Sequence, residues 1–247
     1  MHLFKPILKL IILVLILVSC RKNEVANVSE SSSKLIVNIK YNANEFTLQK
    51  DTILYKNASG NKFSISRLQY YISGIKLYLK DSSFYESNQV FYLDGFEDKS
   101  NTILIEGIKP NEYTSIDFNI GINSNFNEHG KISNTNENIN MYWPDEMGGG
   151  YHFLKFEGNY LNSDNKTKGF ALHLGTNPLL IKHQKINQVI QLNKNISDTI
   201  ELNMNINKWF DGETTYNFLV DGNYSMGIIS LMQKLQSNGK AVFENRN

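Results

Sequence analysis

The chain has 247 residues, with 25 Lys and Arg against 24 Asp and Glu, a single cysteine and 12% aromatic residues. Near-neutral charge, with no Lys/Arg cluster beyond residue 22, argues against nucleic-acid binding, which needs grouped cations for phosphate contacts. One cysteine excludes an internal disulfide and any site built from several thiolates, so the domain must be held by its apolar core.

At the N-terminus Lys5 and Lys9 precede an unbroken apolar run, residues 10–18, which closes on Leu17-Val18-Ser19-Cys20. A positive region, an apolar region and a small-residue cleavage site in that order form an export signal. The run is short for a spanning helix, which needs about 20 apolar residues, and Arg21, Lys22, Asn23 and Glu24 follow at once. Leu-Val-Ser-Cys resembles a lipobox, which implies cleavage before Cys20 and a lipid on that residue; the plainer alternative is an ordinary cleaved signal with an incidental cysteine. Arg21 stands where, by resemblance to known sorting signals, an Asp would retain a lipoprotein in the inner membrane. The expected location is therefore the cell envelope, lipid-anchored in the outer membrane.

Residues 20–33 are polar and serine-rich and read as a flexible tether, followed by one domain over residues 34–247. Leu35, Val37 and Ile39 alternate with polar residues, the period of a half-buried strand. Further strands are expected at 62–65, 70–79, 90–93, 101–105, 115–120, 151–157, 169–174, 188–192 and 199–206, rich in Val, Ile, Tyr, Phe and Thr and separated by turns such as Asn57-Ala58-Ser59-Gly60-Asn61. Short strands joined by polar turns predict an all-β fold of sandwich-like antiparallel sheets. Ile228, Leu231, Met232 and Leu235 have helical spacing and predict one short C-terminal helix over 226–236, ending near Gly239.

The sequence has no Gly-x-Ser-x-Gly elbow, no phosphate loop with its Lys-Ser/Thr and no His-Glu-x-x-His helix, so the chain is not expected to be an enzyme. Gly148-Gly149-Gly150 lacks a strand-turn-helix setting and reads as a bend. Beyond the signal the histidines are His129, His152, His173 and His183. Alternation places His173 with Ala171, opposite Phe170, Leu172 and Leu174, and places His152 with Leu154 and Phe156. Met141 and Trp143 lie just before His152. Imidazole and thioether are donors that copper accepts, whereas magnesium and calcium prefer oxygen. No His-x-His or His-x-x-x-His pair exists, so any site must be assembled from separate strands, and each of these residues could equally serve packing. Asp145 and Glu146 beside the same block offer a hard-cation alternative.

Several blocks together resemble the MbnP-like family of exported copper-binding proteins. They are Tyr55-Lys56-Asn57-Ala58-Ser59-Gly60, the run from Ile65 to Leu77, Tyr113-Thr114-Ser115-Ile116, Ile120-Gly121-Ile122-Asn123, Met141-Tyr142-Trp143, Gly150-Tyr151, Phe156-Glu157-Gly158, and Phe170-Ala171-Leu172-His173-Leu174-Gly175. The resemblance implies a β-rich fold and copper bound outside the cytoplasm through histidines and, in some members, an oxidised tryptophan. It carries over to two positions only, His173 and Trp143; His152 and Met141 join them as candidate metal-site residues on the strength of their own donor chemistry beside that block. Pro144 to Gly149 stand where the family pattern has a second tryptophan, and Asn123 where an acidic residue is usual. The expected function is capture, buffering or transfer of copper at the envelope, with the membrane met through the lipid on Cys20 and an envelope protein as possible recipient. The alternative is a metal-free β-sandwich that binds a ligand or a protein.

Overall fold

The structure is a computed structural model and describes residues 32–244; the expected export signal, Cys20 and the expected tether through residue 31 lie outside the described residues. The elements are β1 (Ser33–Ala43), β2 (Phe46–Thr47), β3 (Tyr55–Lys56), β4 (Lys62–Tyr78), β5 (Phe84–Asp94), β6 (Thr102–Ile108), β7 (Asn111–Ile120), α1 (Asn136–Asn140), β8 (His152–Leu161), β9 (Thr167–Gly175), β10 (Ile186–Leu192), β11 (Ser197–Asn205), α2 (Ile229–Gly239) and β12 (Phe243–Glu244). Alternation is the cause in β1, where Leu35, Val37, Ile39, Tyr41 and Ala43 are buried and the residues between them face outward. The two runs expected at 62–65 and 70–79 are one strand, because Ser66 to Gln69 keep the extended backbone and Leu68 stays in the core.

Two sheets pack as an all-β sandwich. One has the order β12-β11-β1-β2, with β6 also on β1; the other has the order β10-β7-β4-β8-β9, with β3 and β5 also on β4. Strand β4 organises the larger sheet: Phe63 to Tyr70 pair with β8, Ile72 to Tyr78 with β7, and Gln69 to Tyr78 with β5. Two aromatic pairs join the sheets within one shared apolar core. Phe118 of β7 meets Phe243 of β12 edge-on at 4.9 Å, and Tyr41 of β1 meets Tyr70 of β4, their hydroxyls 3.0 Å apart.

The smaller sheet is mixed rather than antiparallel throughout. Strands β1 and β11 run parallel from Lys34↔Ser197 to Asn42↔Asn205. They come from opposite ends of the domain, so no tight hairpin forces them antiparallel. Helix α2 begins three residues later than its spacing predicts. Gly227 has φ +79 and Ile228 is its extended N-cap, which leaves Ile228 exposed while Leu231, Met232 and Leu235 are buried.

Candidate metal centre

Strands β8 and β9 form an antiparallel hairpin from His152↔Gly175 to Leu161↔Thr167, with a shift in register between His152 and Leu154. Because Leu154 pairs with Leu174, Phe153 is the extra residue of a β-bulge. Strict alternation would leave His152 on the face of Leu154 and Phe156, away from His173. The bulge instead sets His152 opposite Gly175, on the face that carries His173. The two imidazole rings lie 5.0 Å apart, nearly perpendicular at 84°.

Each ring has one nitrogen tied and one left over. The His152 Nδ1 is 3.2 Å from the carbonyl oxygen of Met141, which can only accept, so Nδ1 carries the hydrogen. Burial pushes the His152 pKa down to about 3, helped by the nearby Lys155 and His173, so the ring is neutral and its lone pair is on Nε2. For His173, Nε2 is 2.9 Å from Glu157 Oε1 and donates to it. That bond holds the Glu157 carboxyl below its ordinary range against the opposing effect of burial, and Arg67, with Nη1 2.8 Å from the same oxygen, adds to it. The His173 Nδ1 is buried and has no hydrogen-bond partner.

Trp143 walls the pair. Its ring is 4.7 Å from His152 and is itself buried, with Nε1 donating to the Met147 carbonyl at 3.1 Å. Gly175 permits this packing, since a Cβ there would lie 2.3 Å from the tryptophan ring. The loop before β8 is pinned rather than loose. Gly148, Gly149 and Gly150 all have positive φ, the Trp143 N–H donates to Gly150 O, and a Cβ on Gly150 would lie 2.5 Å from Asn127 Oδ1. Met141 is fully buried and contributes its carbonyl, which also accepts the His152 N–H.

Three supporting residues escape a reading of the sequence. Glu157 and Arg67 fix the His173 ring, and Ser225 holds its backbone, accepting from His173 N at 2.7 Å and donating to His173 O at 2.8 Å. The other two histidines lie apart. His129 stacks on Tyr142 and faces Asp145 Oδ1 at 3.3 Å and Trp143 O at 3.2 Å, while His183 is exposed beside Asp117. Asp145 is thus directed to His129 and not to the histidine pair.

Among the described residues no three His, Cys, Asp or Glu side chains converge as a metal-binding group. The pair nevertheless fits a metal that accepts imidazole. Ligating histidines ordinarily donate their second ring N–H to a carboxylate or a carbonyl, the roles filled here by Glu157 and Met141. The orphaned Nδ1 of His173 is the cost that such a ligand would remove.

The fold and this cluster define a β-sandwich protein with a histidine pair and a tryptophan wall at one end of its larger sheet. The chain belongs to the MbnP family, whose model matches residues 30–227. Among solved structures it is similar to MbnP from Methylosinus trichosporium, at 11% identity and a TM-score of 0.50, over 75% of this chain and 80% of that one. At that identity the likeness is one of fold. No curated protein matches the chain significantly.

Proposed function

We propose that the protein is an envelope lipoprotein, not an enzyme, that binds one copper ion outside the cytoplasm through His152 and His173 and captures, buffers or passes it on. The observation that carries this reading is the matched pair of free imidazole nitrogens, one of them buried without a partner. Copper accepts imidazole, and bound here it would serve as cargo or as a redox-active ion. The chain's own residues do the rest. Met141 and Glu157 fix the tautomers, Trp143 excludes water from one side, and Ser225 steadies the strand that carries His173. Membership of the MbnP family supports the same reading.

The test is metal content by mass spectrometry after purification with copper and zinc supplied together. About one copper per chain is expected, falling to background in a His152→Ala/His173→Ala variant; a wild type without copper would leave the metal-free ligand-binding reading in its place.

A further inference from the structure

Five methionines fall among the described residues. Met141, Met204 and Met232 are buried, whereas Met147 and Met226 are half-buried and sit on separate loops. These two loops meet. A Cβ built on Gly227 would lie 3.6 Å from Met147 Cε, which puts the tip of the Met147 side chain against the backbone next to Met226. Each methionine also adjoins a residue that shapes the histidine pair. The Met147 carbonyl accepts the Trp143 indole N–H, and Met226 follows Ser225, which brackets the His173 backbone. Exposed Glu146, in the same turn as Met147, adds negative charge where a cation would arrive.

We propose that Met147 and Met226 form a thioether site that takes Cu(I) at the surface and hands it to His152 and His173. The proposal rests on the copper reading above. Thioethers are soft, uncharged donors suited to Cu(I), and they do not titrate, so capture by them is independent of pH. Hand-off is ligand exchange alone. The copper–sulfur contacts break as copper–nitrogen contacts form at His152 Nε2 and His173 Nδ1. No electron moves: each ring nitrogen lends its lone pair as a sulfur withdraws its own.

The test uses purified protein labelled at the methionine methyl carbons and titrated anaerobically with Cu(I), in the wild type and in His152→Ala/His173→Ala. In the histidine variant the Met147 and Met226 methyl resonances should shift together and saturably, equally at pH 5.5 and 7.5, with Met141, Met204 and Met232 unmoved. Met147→Leu/Met226→Leu should load as much copper as wild type but take it at least tenfold more slowly from the Cu(I)–bathocuproine disulfonate complex. Methyl resonances that stay fixed, or an unchanged uptake rate, would mean that the two thioethers only pack against the loops. If the methyls shift while the wild type never loads its histidines, the thioether site stands and the histidine reading falls.

Discussion

His152 stands 5.0 Å from His173, ring to ring, because Phe153 is skipped in the pairing of β8 with β9. The consequence is two imidazoles on one face of a rigid hairpin, each oriented from behind by a fixed hydrogen bond. Three expectations follow from how that arrangement is supported.

The first concerns Glu157. Replacing it with alanine frees the His173 ring to rotate and to move its hydrogen to Nδ1, and loss of such a supporting partner typically costs 10–100-fold in metal affinity. Competition with a Cu(I) chelator should show a weakening of about that size in Glu157→Ala. Glu157→Gln should recover part of it, since the amide oxygen still accepts from Nε2.

Gly175 sets the distance between strand and tryptophan. With a Cβ meeting the Trp143 ring at 2.3 Å, Gly175→Ala must displace the indole or bend β9. Overpacking of this kind costs about 1–3 kcal/mol, so urea unfolding should shift to lower midpoint and the buried-tryptophan emission should move to the red. An unchanged midpoint and spectrum would mean that the wall yields freely.

Burial of His152 links stability to pH. The unfolded chain takes up a proton at this ring near pH 6.5 and the folded chain only near 3. Between those values the unfolded state binds more protons, so its contribution to stability is complete above pH 6.5 and is lost as pH falls toward 3. The loss is at most about 1.4 kcal/mol per pH unit. Unfolding free energies at pH 7 and 4.5 should differ more for wild type than for His152→Asn. For the same reason protons do not compete at His152 near pH 6.5, where an ordinary histidine ligand would begin to weaken.

The proposed lipid anchor is Cys20, which lies outside the described residues. Cys20→Ala should abolish lipid labelling and release the protein from membranes. A variant that stays membrane-bound with labelling intact would contradict the lipoprotein reading.

The sandwich was legible because period-two burial is local: Leu35, Val37 and Ile39 announce their strand without reference to anything else. The outward turn of His173 was legible for the same reason, since Phe170, Leu172 and Leu174 claim the core. The parallel pairing of β1 with β11 was not, because nothing local to either strand names a partner more than 150 residues away. His152 was misplaced by alternation because a bulge changes the face of every residue before it, and one extra residue leaves no mark on composition. Glu157 became visible as the partner of His173 only through the hairpin register, which sets Lys155 opposite His173 and Glu157 two residues further on. Ser225 reaches His173 from a segment 52 residues away and carries no signal of its own.

The most direct test of the central claim is an anaerobic Cu(I) titration of wild type beside His152→Ala and His173→Ala, with fold checked by circular dichroism. Wild type should bind one equivalent, and each single variant should lose at least tenfold in affinity while keeping its β spectrum. If the wild type binds no copper, or if His173→Ala binds it as tightly as wild type, the histidine pair is not a copper site.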